Sequence, residues 1–160
     1  MAELLRTHPL ESRADALAAA GITVEPYVAM TNVRGEPPVA ANTWADVDGG
    51  RAIWLGPDEW LLTSADEAPE DLETRTGGTD VSAQRITLRL AGARARDLLA
   101  GGCAIDLHPR VFGPGQCVQT RLAQAAVVLL REEDEYVVLV RSSFAGYLAD
   151  WLLDAAAEYR

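Results

Sequence analysis

The most regular pattern in the chain lies near its C-terminal end. Phe144, Tyr147, Leu148, Trp151, Leu152 and Ala155 recur at i, i+3, i+4, i+7, i+8 and i+11, while Gly146, Asp150, Asp154 and Glu158 line the opposite side. This 3.6-residue period predicts an amphipathic helix of about four turns, its aromatic stripe packed on a sheet, with Ser142 as N-cap. Ahead of it, QCVQTRLA (116–123), AVVLLR (126–131) and EYVVLVR (135–141) read as strands, and EEDE (132–135) as a solvated hairpin tip. ITLRL (86–90) alternates with Ile86, Leu88 and Leu90 inward. GARARDLLAGG (92–102) predicts a helix that faces Ala95, Leu98 and Leu99 to the core and stops at Gly101-Gly102.

The first half is less regular. LESRADALAAA (10–20) predicts a short helix with Leu10, Ala14, Leu17 and Ala18 on one face and Gly21 as its stop. ITVEPYVAMTNVRG (22–35) reads as one extended strand, and EPPVAANTW (36–44) as a turn, because Pro37-Pro38 forbids a central strand. RAIWLGPDEWLLTS (51–64) is a hairpin about Gly56-Pro57-Asp58. Both arms carry apolar residues on both faces, which predicts cover on both sides, one of them conceivably from another subunit. SADEAPEDLETRTGG (64–78) reads as an acidic loop with at most one helical turn. These elements give an α+β class in a single domain, residues 1–160, with helices on one face of mostly antiparallel sheets.

Composition narrows the function. The chain has 160 residues and a net charge of −10, and all 14 basic residues are arginine. The absence of lysine excludes Schiff-base and P-loop lysine chemistry. The acidic balance speaks against a nucleic-acid partner. No apolar run approaches the ~18 residues of a membrane span, and the acidic N-terminal stretch does not read as a secretory signal. Two cysteines are too few for a disulfide scaffold. The expectation is a cytoplasmic protein with reduced thiols and no membrane partner.

GGCAIDLHPRVFGPGQCVQTRLAQA (101–125) holds both cysteines and His108. Cys103 and Cys117 lie too far apart for a zinc knuckle, and only His8 and His108 could complete a set. Cys103, Asp106 and His108 could be imagined as an acyl-transfer triad, but no elbow motif accompanies them. GPGQC does not match a dinucleotide fingerprint. Asp58 and Glu59 are strand neighbours, so they point apart rather than forming an acid–base pair. No catalytic, cofactor-binding or metal residue is therefore assigned. What remains is a binding or assembly module with arginines Arg89, Arg94, Arg96, Arg110 and Arg121 forming a ridge.

WLGPDEWLL (54–62), GCAIDLHPRVFGPGQCVQTRLAQA (102–125) and RSSFAGYLADWLLDAA (141–156), with TNVRG (31–35) and TDVS (79–82), resemble the gamma subunit family of heterotetrameric sarcosine oxidase. The resemblance implies a fold like the N-terminal part of glycine-cleavage aminomethyltransferase, with two small α/β-plait-like halves, about 1–83 and 84–160. It implies partners in alpha, beta and delta subunits, and a holoenzyme that oxidises sarcosine to glycine, makes hydrogen peroxide and passes a one-carbon unit to tetrahydrofolate. FAD, FMN, NAD and zinc would sit in the other subunits and no cofactor in this one. The alternative is a stand-alone folate-binding or one-carbon-transfer domain, for which Trp54, Trp60 and Asp58 would have to share a pocket. Within a non-catalytic subunit, the candidate interface residues are His108, Arg110, Arg121, Trp54 and Trp60, with the 101–125 stretch as a rigid corner.

Overall fold

The structure is a computed structural model and describes residues 8–159. The reading of the N-terminal stretch as no leader falls partly on residues 1–7, outside the described residues.

Two five-stranded antiparallel sheets stack face to face. The first has the order β1 (Ile22–Val24), β7 (Arg85–Ala91), β10 (Glu135–Arg141), β9 (Ala125–Arg131), β8 (Cys117–Leu122). The second has the order β3 (Trp44–Val47), β4 (Gly50–Gly56), β5 (Glu59–Ser64), β2 (Ala29–Arg34), β6 (Thr79–Asp80). Helices α1 (Ala14–Ala19), α3 (Ala95–Ala100) and α4 (Ala145–Ala157) cover the outer face of the first sheet, and α2 (Pro69–Thr76) covers that of the second. The result is four layers, α/β/β/α.

The layering explains the two-sided strands. Outward on the first sheet, Ile86, Leu88, Leu90, Leu129 and Val138 pack on Leu17, Leu98 and Leu148 of the helices. Inward, Val128, Leu130, Val137 and Leu139 meet Met30, Ile53 and Leu61 of the second sheet. Leu62 and Ala29 on that sheet's far side are capped by Leu72 of α2. The cover on both faces of the 51–64 hairpin is therefore internal: one side is the first sheet and the other is α2.

Several sequence readings are corrected. The segment 22–35 is two strands in two sheets, because Glu25-Pro26 interrupts the ladder and Pro26 has no N–H to donate. The acidic loop contains the eight-residue α2, started by Pro69 and stopped by Gly77 at φ 65°. Leu72 is its single buried anchor, too little to register as a period. Within 36–44 the turn reading holds until Trp44, where β3 begins as a short edge strand. Ser142 is not an N-cap: it opens a 3₁₀ turn (Ser142–Phe144), and its hydroxyl donates to Ala83 O at 2.7 Å. In α4 the buried residues are Ala145, Leu148, Ala149 and Leu152, while Phe144 and Tyr147 are exposed. Alanines fill the crowded seam, so the aromatic stripe sits at its rim.

The hairpin tip 132–135 is not simply solvated. Glu132 accepts hydrogen bonds from Arg51 of β4 and Arg89 of β7, both at 2.6 Å, and so ties one sheet to the other. Arg89 also donates to Glu25 at 3.0 Å and Glu135 at 2.7 Å. Arg51 reaches Asp46 at 3.0 Å and lies 4.1 Å above the Trp44 ring. Burial pushes the Glu132 carboxyl upward, but the hydrogen bonds and charges of the two arginines outweigh it and hold it below 4.5. A depressed folded value contributes stability above the unfolded value, lost as pH falls through the folded one. We therefore expect Glu132→Gln to lose about 1–2 kcal/mol at neutral pH, lowering the melting temperature by about 2–8 °C. The loss should shrink below pH 4 in thermal melts across an acid series. An unchanged acid profile would show that Glu132 does not bridge the sheets in solution.

Candidate functional site

The 101–125 stretch forms a corner at the end of α3, and its stiffness has identifiable sources. Gly101 and Gly102 end the helix, and Cys103 bridges back to Leu122 of β8. A Cβ on Gly102 would lie 2.5 Å from the Trp151 ring, so the chain passes against α4 where only glycine fits. Asp106 Oδ1 accepts the His108 N–H at 2.8 Å, and His108 Nδ1 accepts the Arg110 N–H at 3.2 Å. Leu107 and Phe112 are buried in the helix-side core and pin the corner from below. Gln116 Oε1 accepts from Gly113 N, and Gln116 pairs with Thr43, joining the corner to the second sheet.

What the corner presents outward is polar and cationic. His108, Arg110 and Val111 are exposed, Val111 at 57%. The Arg110 guanidinium makes no hydrogen bond or ion pair among the described residues, and Asp106 is engaged instead with the His108 N–H. Arg121 is held locally, donating to Gln124 Oε1 at 3.1 Å. Trp54 and Trp60 face each other across the β4–β5 ladder and are half-buried: Trp60 packs on the α2 side and Trp54 on the inter-sheet core. The corner and this hairpin are linked by β8, since Cys117 Sγ lies 3.7 Å from Trp54 O and Gln119 Nε2 donates to Leu55 O at 2.6 Å.

The arginine ridge does not exist as one surface. Arg89 is bound by glutamates between the sheets, Arg94 lies over Tyr159, and Arg110 and Arg121 belong to the corner and to the β8–β9 turn. Glu59 is not a solvated tip either: it accepts from Asn32 Nδ2 at 2.7 Å.

No catalytic constellation assembles on these residues. The Cys117 thiol donates to Thr43 O at 3.2 Å, and its burial pushes its pKa up to about 11, away from the thiolate that nucleophilic chemistry needs. The second histidine, His8, is part-buried; its Nδ1 accepts the Leu10 N–H, its ring lies 5.1 Å from Tyr27, and burial lowers its pKa. Among the described residues no three His, Cys, Asp or Glu side chains group as a metal site. Among the described residues, a cavity of about 170 Å³ lies between α1, β7 and α4 and one of about 150 Å³ lies between the sheets by Arg51 and Arg89, both smaller than a typical cofactor pocket. A larger cleft, about 520 Å³, is walled by Glu132, Glu133, Asp134 and Glu135, which would repel a phosphate-bearing group. Trp54, Trp60 and Asp58 line none of these, so the platform a pterin would need is not formed there. No helix of the described residues is long and apolar enough to cross a membrane.

Residues 21–158 match the family described as "Sarcosine oxidase, gamma subunit family". The chain is 37% identical over 151 residues to the sarcosine oxidase subunit gamma of Corynebacterium sp. (strain U-96), covering 89% of this chain and 73% of that protein. It is 36% identical over 137 residues to the sarcosine oxidase subunit gamma of Arthrobacter sp., covering 78% and 66%. In structure it is similar to a chain of the heterotetrameric sarcosine oxidase from Corynebacterium sp. U-96 in complex with pyrrole 2-carboxylate, with a TM-score of 0.86, 30% identity, and coverage of 97% of this chain and 96% of that one.

The thiol geometry gives a direct test. With a pKa of about 11, roughly one Cys117 in a thousand is thiolate at pH 8 by the titration relation. Cys117 should therefore resist a disulfide reagent in the folded protein and react only on denaturation, as read by mass spectrometry of labelled peptides. Rapid native labelling of Cys117 would overturn the reading of it as a buried structural thiol.

Proposed function

The chain belongs to the sarcosine oxidase gamma subunit family, and we propose that it is a cofactor-free, non-catalytic subunit of a heterotetrameric sarcosine-oxidising flavoenzyme. The observation that carries this reading is the match of nearly the whole chain to one chain of such a tetramer. The other subunits, of alpha, beta and delta type, hold FAD, FMN, NAD and zinc. Together they oxidise sarcosine to glycine, release hydrogen peroxide and hand the one-carbon unit to tetrahydrofolate in the cytoplasm. This chain's part is structural. The cavities beside α1 and between the sheets, about 170 and 150 Å³, are small for a flavin, and the Cys117 thiol is shifted away from reactivity.

Attachment runs through the 101–125 corner and the neighbouring tryptophan hairpin. A corner pinned by Leu107 and Phe112 presents Arg110 with little left to order on binding. A planar, permanently charged fork on a rigid turn suits a carboxylate on another chain.

Two outcomes are expected. Purified alone, the chain is colourless and does not turn over sarcosine; a flavin absorption band that survives gel filtration would falsify the cofactor-free assignment. With all subunits co-expressed, Arg110→Ala leaves the free chain's melting temperature unchanged, since the side chain is exposed and unpaired within it, but weakens assembly. If the arginine is buried against a carboxylate in the complex, the loss is about 2–5 kcal/mol, read as reduced co-purification. Undiminished assembly would move the interface away from the corner.

A further inference from the structure

Five described arginines pair with carboxylates of the chain: Arg13 with Asp150, Arg34 with Asp58 and Glu59, Arg75 with Glu67, and Arg51 and Arg89 with the glutamates between the sheets. Of the described arginines that make no such pair, the strand register gathers three, Arg85, Arg121 and Arg141, in one place. Arg141 of β10 lies directly opposite Arg85 of β7. On the other side of β10, Val140 pairs with Val127, which sets Arg141 level with Ala126, and Ala126 pairs with Arg121 of β8. Residues opposite one another share a face, so the row Arg85–Arg141–Ala126–Arg121 crosses four strands on one side of the first sheet.

That side is the one facing the second sheet. One step along each strand, two residues on, the same face carries Leu139, Val128 and Gln119. Leu139 and Val128 belong to the inter-sheet core, and Gln119 donates to Leu55 O of β4. The second sheet thus covers the face up to this row and leaves the arginines in an open cleft of about 340 Å³, floored by Ala126 and Val128. No carboxylate lines it. Arg85 donates to Gln84, Arg121 to Gln124, and Arg141 has no side-chain partner among the described residues.

Like charges placed directly across a ladder are destabilising. The Arg85 guanidinium carries this cost: burial first, and then the Arg141 charge, lower its pKa, with Glu59 only partly offsetting them. A local rule broken without internal compensation marks a surface whose compensation comes from outside.

We propose that this cleft is a docking site for an acidic, extended segment of another subunit of the complex, whose carboxylates take the forks of Arg85, Arg141 and Arg121. The proposal rests on the subunit reading above and adds the chemistry of the contact. Three strand spacings place Arg85 and Arg121 about 14 Å apart, wider than one phosphate or carboxylate can bridge and the length of about four residues of extended chain. The cleft is open and shallow with an apolar floor, the shape of a surface for a polypeptide rather than an enclosing pocket. Complementary charge here would also steer association by an otherwise acidic protein.

The test is titration of the purified chain with the remaining subunits at low and high salt, using Arg121→Gln/Arg141→Gln, both at exposed positions, and Arg141→Gln alone as a milder variant. The expected result is at least a tenfold weaker Kd for the double variant at low salt, a shallower dependence on salt, and a free-chain melting temperature unchanged or raised because repulsion is relieved. Parent-like affinity and salt dependence in both variants would overturn the cleft while leaving the subunit role standing. Failure of the parent chain to bind the other subunits at all would remove that role and the cleft with it. If inorganic triphosphate stabilises the parent but not the double variant while assembly is unchanged, the cleft takes a small polyanion and the proposal is wrong.

Discussion

Everything in this molecule depends on two sheets sharing one apolar interface. Val128, Leu130, Val137 and Leu139 of β9 and β10 reach across to Met30, Ile53 and Leu61, and the neighbouring side chains on the same strands face the helices. Such strands have no solvent face, which is why AVVLLR and EYVVLVR are nearly unbroken apolar runs. At about 25 cal/mol per Å² of apolar surface removed from water, these central strands outweigh what any surface ion pair can contribute. They also fix the register of the hairpin tip, and only because that tip is fixed can Glu132 reach an arginine on each sheet.

Legibility in sequence follows the same division. Where one face was buried against a helix layer, the pattern was sufficient: Ile86, Leu88 and Leu90, then Ala95, Leu98 and Leu99, are buried in the sheet–helix core as their spacing predicts. Where tertiary geometry decides, it was not. Pro26 breaks 22–35, but nothing local says that the two pieces join different sheets. Leu72 alone cannot signal a helix, and β3 is too short and polar to show a strand period. The α4 stripe was drawn through the large aromatics, whereas close packing on β10 favours Ala145 and Ala149. Acidic residues at a tip read as solvated because a sequence does not show which arginine will arrive there from another sheet.

The candidate surface divides likewise. The corner was visible as a Gly-Pro-rich segment, and its turns form where those residues stand. The arginine row was not visible as a unit. Arg85, Arg121 and Arg141 are dispersed in sequence and become neighbours only through the order β7-β10-β9-β8. The signal that could have found them was the register of adjacent strands, and arginines dispersed over separate strands do not declare it.

These features set the division of labour between the inside and outside of the chain. Arg89 and Arg51 lie where second-sheet cover restricts water, and each is matched by carboxylates of its own chain, since a part-buried unpaired charge is costly. Arg141 and Arg110 lie where water still reaches, so the folded chain tolerates them without partners. Their solvation limits the cost of leaving them unpaired and keeps them available to another protein, which would then supply the carboxylates this chain withholds. What the fold leaves at its edges is a stiff corner and a row of cations.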